Sequence, residues 1–203
     1  MKLSEIIKEN RVLIAGLLMP LALIILFTYA KTIPDMTVPD PTYKAVYAAQ
    51  TWGGLGQITF KVDDNGKVGA SFTATSTPSG YDKLPTGHIF IFDPKTMTTD
   101  RKDIEISADI LKDAQDTPNT RTKDIGLDVI KNLTLSKSDT APDGYIFETY
   151  HYRNRNLISD IFMSGSHYNG PVLLKDNRVI RIDLPNNTYY YDLIFLGWVT
   201  KEE

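Results

Sequence analysis

The chain reads as a single transmembrane helix followed by a β-rich globular domain, all-β or α+β, built mainly of antiparallel hairpins with one or two short helices. Three observations predict this: the charge-free apolar run "VLIAGLLMPLALIILFTYA" over residues 12–30, two hairpin patterns of period two, and the scarcity of helical spacing after them.

The apolar run matches the roughly 20 residues that a helix needs to cross about 30 Å of hydrocarbon. Pro20 lies inside it, and membrane-spanning helices accept proline better than soluble ones. Lys2, Lys8 and Arg11 precede the run, whereas Lys31 alone follows closely, with Asp35 and Asp40 behind it. By the positive-inside rule, residues 1–11 form a cytoplasmic tail and the remainder lies outside. The expected location is therefore the cytoplasmic (inner) membrane, crossed once with the amino terminus inside. Small residues at Thr28 and Ala30 also fit a signal-peptidase site, but the run exceeds the apolar region of a typical signal peptide, and an uncleaved anchor is the expectation. Ala15 and Ala22, one heptad apart, are the best small-residue pair for helix association, and they make a weak signal.

Residues 31–42, with Pro34, Pro39 and Pro41, read as a stiff extended spacer before a domain over 43–203. In "QITFKV", Ile58, Phe60 and Val62 share one face, and "VGASFTAT" repeats the scheme with Val68, Ala70, Phe72 and Ala74. Asn65-Gly66 between them predicts a hairpin turn. A second hairpin joins "VLLK" to "RVIRIDL" through Asp176-Asn177, with Ile180, Ile182 and Leu184 facing the core. The runs "GHIFIF", "GYIFETYHY" and "YYYDLIFLGWV" are apolar on both faces in places, as sandwiched strands are. Helical spacing is confined to "SADILKDAQ" and "KDIGLDVIKNL", the latter through Ile125, Val129, Ile130 and Leu133, with Gly126 weakening it.

The net charge of −3 argues against a nucleic-acid partner, whose binders carry a basic excess. With no cysteine, disulfides, thiolate metal sites and thiol catalysis are excluded.

Candidate chemistry concentrates in "HYRNRNLISDIFMSGSHYNG", residues 151–170. Glu148 and His151 have the Glu-x-x-His spacing of a di-metal helix, but Tyr145, Phe147, Tyr150 and Tyr152 mark a strand, where an offset of three sends side chains to opposite faces. No metal is therefore expected. Ser166 beside His167 lacks the Gly-x-Ser-x-Gly elbow, and sequence neighbours seldom point at one another. No catalytic residue is assigned and no cofactor is expected; the glycines of "WGGLGQ" precede a strand, where a phosphate loop requires a helix. His88 reads as a satisfied, half-buried strand residue. What remains is recognition: Arg153 and Arg155, with Tyr150, His151, Tyr152 and His167, offer guanidinium forks and ring faces to an anionic or sugar-bearing group.

The sequence therefore leads to a membrane-anchored extracytoplasmic protein that binds or scaffolds envelope components. Its expected partners are the bilayer, through residues 12–30, and an envelope protein or glycan. The alternative is an anchored hydrolase acting on envelope polymers, with Glu148 and Asp160 as acid and base, which requires two carboxyl groups converging in a cleft.

Overall fold

The computed structural model describes residues 10–50, 52–53, 55–74, 85–115, 122–127, 130–149, 170–185 and 193–202. It divides into two compact units, one holding the first helix through Pro39 with the turn Asp176–Arg178, the other holding the sheets.

The first unit is dominated by α1 (Arg11–Thr37). At 1.5 Å per residue, 27 residues span about 40 Å, which is long and apolar enough to cross a membrane. Its apolar side chains are exposed, Val12 at 88% and Leu17 at 76%. The helix runs on through Lys31–Thr37, into the stretch whose prolines predict an extended spacer. One internal proline removes only one backbone donor. Thr32 and Thr37, on either side of Pro34, donate their hydroxyls to the carbonyls of Tyr29 and Ile33. The helix ends where Val38 meets Pro39: a residue before proline is driven out of the helical region, and Val38 is extended at φ −89°, ψ 123°. In the same unit Arg178 Nη1 donates to Val38 O at 2.7 Å, and its Nε lies 3.6 Å from Asp35.

Among the described residues the strand pairs of the second unit are antiparallel. Its elements are β1 (Ala45–Gln50), β2 (Trp52–Gly53), β3 (Gly56–Val62), β4 (Val68–Ala74), β5 (Gly87–Asp93), β6 (Thr98–Ile104), α2 (Ala108–Gln115), β7 (Thr122–Ile125), β8 (Leu133–Ser136), β9 (Ile146–Glu148), β10 (Val172–Lys175), β11 (Arg178–Arg181) and β12 (Leu193–Glu202). They form a five-stranded sheet, β6-β5-β1-β12-β8, a four-stranded sheet, β2-β3-β4-β7, and a three-stranded sheet, β11-β10-β9.

The central five-stranded sheet is apolar on both faces. On one face Val46, Ala48 and Ile89 form a buried cluster with Ile58, Phe60 and Phe72 of the β3–β4 hairpin. On the other, Tyr47 stacks on Phe90 at 5.2 Å and meets Phe147 of β9 at 5.2 Å, while Phe147 stacks on Phe195 at 4.6 Å. The two-sided apolar runs thus mark sandwiched strands, as their composition predicts. A bulge keeps β12 in step with both layers. Val46 pairs with Gly197 and Tyr47 with Phe195, which leaves Leu196 as the extra residue. An added Cβ at Gly197 would lie 2.3 Å from Ser136 O, so β8 approaches only because that position is glycine.

Both predicted hairpins form. The first pairs Ile58 with Phe72 and Phe60 with Ala70. Its turn is wider than an Asn-Gly two-residue loop: Asp63 and Lys67 close it, Asp63 Oδ1 accepts from the Asn65 and Lys67 amides, and Gly66 alone takes positive φ, +75°. In the second, Asp176 and Asn177 both take positive φ, 44° and 66°, as a type I′ turn requires. Ile180 and Ile182 are buried, and Leu184 is half-buried.

Of the two predicted helices, "SADILKDAQ" is α2, with the Ser107 hydroxyl accepting from Ile110 N at 3.4 Å. The described residues of "KDIGLDVIKNL" do not make one continuous α-helix: Ile130 lies in a 3-10 turn, its amide donating to Leu127 O at 3.4 Å. Thr122–Ile125 is a strand that pairs with β4, and Leu133 opens β8. Ile125 and Ile130 are buried in the same core cluster, so their helix-like spacing reflects two separate elements entering one core.

Candidate functional site

Along β6 the side chains that share the aromatic side of the sheet are Thr99, Arg101 and Asp103, opposite Phe92, Phe90 and His88 of β5. His88, Arg101 and Asp103 converge there. Asp103 Oδ1 lies 2.8 Å from His88 Nδ1 and accepts from Arg101 Nε at 2.7 Å, while Arg101 Nη2 sits 3.4 Å from His88 Nε2. Guanidinium can only donate, so in the tautomer that carries its proton on Nδ1 the His88 ring donates to Asp103 and turns Nε2 towards Arg101 as an acceptor. The Arg101 guanidinium holds the Asp103 carboxyl below its ordinary range, with the His88 bond adding to the effect and partial desolvation opposing it. His88 is mostly covered, its ring 6.3 Å from Phe90, whereas the Asp103 side chain is 62% exposed.

The trio thus sets a guanidinium and a carboxylate side by side on a mostly exposed strand, backed by a largely covered imidazole.

Elsewhere, polar contacts fix the entry to β1. Asp143 Oδ2 accepts from the Thr42 amide at 2.7 Å and from its hydroxyl at 2.9 Å. Lys175 donates to Asp143 O and lies 5.5 Å from the Tyr145 ring centroid. Lys44 binds Glu202 at 2.7 Å and Asp93 at 3.5 Å, joining the start of β1 to the end of β12. A shallow cavity of about 320 Å³ is lined by Lys67, Val68, Gly126, Leu127, Ile130 and Lys131, none of them a carboxylate. Among the described residues no three His, Asp or Glu side chains gather as metal ligands would.

Of the residues singled out in the sequence, Tyr150, His151, Tyr152, Arg153, Arg155 and His167 all lie outside the described residues, as do Asp160, Ser164 and Ser166. Glu148 is in β9, opposite Val172, in the strand conformation its neighbours predict. The glycines of "WGGLGQ" that are described, Gly53 and Gly56, pair with each other across β2 and β3, a strand-to-strand turn in place of a helix start. His88 is satisfied and half-buried, as expected.

Sequence reasoning missed Arg101 and Asp103 as partners of His88. The signal was present in the hairpin "GHIFIFDPKTMTTDRKDI": once Asp93 pairs with Thr98 across the turn, counting back places Asp103 opposite His88.

No protein-family model, curated protein or solved structure matches this chain.

Proposed function

We propose that this chain is a membrane-anchored extracytoplasmic protein whose β-rich domain binds or scaffolds other components of the cell envelope. The observation that carries the reading is α1: a 27-residue helix with its apolar side chains turned outward, an arrangement that is costly in water and favourable in lipid. Lys2, Lys8 and Arg11 on its amino-terminal flank support an inside orientation for that end. Residues 31–203 then lie outside the cytoplasmic membrane, where the partner is an envelope protein or glycan.

Two polar features support a recognition role. One is the His88–Arg101–Asp103 trio, whose carboxylate is mostly exposed. The other is the sequence "YHYRNRN", whose Arg153 and Arg155 suit an anionic or sugar-bearing group beside Tyr150, His151 and Tyr152, with His167 further along.

The test is co-purification of partners with the detergent-extracted full-length protein, repeated with Arg153 and Arg155 both changed to alanine. The reading predicts a captured envelope component whose retention falls several-fold in the variant and loses most of its salt dependence. Unchanged capture and salt response in a normally folded variant contradict the role given to the two arginines.

A further inference from the structure

The five-stranded sheet ends in two different ways. At one edge β8 is short, 4 residues, and its pairing with β12 is broken by a register shift. At the other, β6 is a full 7 residues, has no proline, and pairs with β5 without interruption. Among the described residues nothing pairs with its outer edge. Long, regular edges are templates for another strand, and proteins usually blunt them with prolines, bulges or charges. Here the only device is charge, in the sequence Thr98-Thr99-Asp100-Arg101-Lys102-Asp103-Ile104.

Those charges are self-complementary in one register. When two identical strands pair antiparallel about a two-fold axis normal to the sheet, directly opposed side chains lie on the same face, so the axis must pass through a residue and not between two. Centring on Asp100 sets two carboxylates against each other. Centring on Lys102 opposes two ammonium groups and leaves the start of the strand unpaired. Centring on Arg101 pairs the whole strand: Asp100 meets Lys102 twice, Thr99 meets Asp103 twice, and Thr98 meets Ile104 twice. The two Arg101 side chains face each other, but each guanidinium already binds Asp103 of its own copy at 2.7 Å. Asp100 and Lys102 lie on the opposite face from Arg101, are exposed, and have no ion-pair partner among the described residues.

We infer that two copies of this chain associate edge to edge through β6, antiparallel about Arg101, with Asp100 of each copy paired to Lys102 of the other. The inference goes beyond the anchoring proposal and does not depend on it. A single edge buries little apolar area, so the dimer belongs to the weak class and is best sought at the high local density of cells or vesicles.

The chain has no cysteine, so one introduced thiol reports on one position. In the full-length protein, oxidation of Arg101→Cys should give a disulfide dimer, because opposed Cα atoms sit about 4.5–5.5 Å apart. Thr98→Cys should stay monomeric, since its symmetry mate is roughly 20 Å away at about 3.4 Å per residue. In the Arg101→Cys background, Asp100→Lys or Lys102→Asp should each cut the cross-link several-fold, and the two together should restore it. With no substitution at all, carbodiimide treatment of vesicles reconstituted from mixed isotope-labelled and unlabelled copies should yield an Asp100–Lys102 amide between copies. Equal cross-linking of Thr98→Cys and Arg101→Cys, failure of the double reversal to restore the dimer, or absence of the inter-copy amide overturns the inference.

Discussion

Asp103 and His88 face each other across the β5–β6 ladder with Oδ1 and Nδ1 2.8 Å apart, and Arg101 Nε reaches the same oxygen at 2.7 Å. One carboxylate oxygen therefore organises both partners, and the arrangement depends on Asp103 being ionised.

The pH dependence follows from that ionisation. The Asp103 carboxyl is held below its ordinary 3.8, chiefly by the Arg101 hydrogen bond. Because the folded value is the lower one, its contribution to stability is fully present above 3.8 and is lost as pH falls through the folded value. Carboxyl-carbon NMR titration should find Asp103 below 3.8 and show it rising towards that value in Arg101→Ala. A titration unmoved by the substitution would contradict the assignment.

Phe72 is 1% exposed and stacks its ring under Gly56 in the cluster between the two larger sheets. Phe72→Ala should lower the unfolding free energy by about 3–5 kcal/mol, through lost transfer energy and the cavity left behind. Chemical denaturation of the full-length protein in detergent, followed by tryptophan fluorescence, checks this; a loss under about 1 kcal/mol would mean that the core closes over the gap.

Two backbone positions test where the chain needs a particular residue. Gly197→Ala places a methyl against Ser136 O at a positive φ of 148°, and clash and strain together should cost about 1–3 kcal/mol or more. Asn177→Val should cost about 1–2 kcal/mol because a β-branched residue must take the left-handed conformation, while Asn177→Gly should be tolerated. Equal stability of the valine and glycine variants would exclude the type I′ turn.

Much of the β architecture was legible because its signals are local. Ile58/Phe60 and Ala70/Phe72 alternate, and Asp176-Asn177 is turn chemistry with a steric cause. The aromatic runs declared themselves two-sided, and Phe90, Phe147 and Phe195, one from each run, do lie between sheets, whereas Tyr47 and the whole of β1 went unread. The failures have a common origin in context beyond the segment. Ile125 and Ile130 mimic a helical stripe because two distinct elements converge on one core. Residues 31–37 stay helical because a single proline, Pro34, costs one hydrogen bond at the end of a long helix. The polar trio was half legible: His88 was read as satisfied, but naming Arg101 and Asp103 required the register of the hairpin, which depends on a turn that ends at Met97 with φ 57°. The arginines of "YHYRNRN" were chosen on chemistry alone, and their test is biochemical.

Protease protection tests the central claim most directly. In cells whose cytoplasmic membrane is intact but externally accessible, with a tag at residue 1, added protease should digest residues 31–203 while the tag survives in the membrane fraction, attached to α1. Cleavage of the tag from outside would reverse the orientation, and a mature chain that begins at Lys31 and leaves the membrane fraction would show that the apolar helix is removed and anchors nothing.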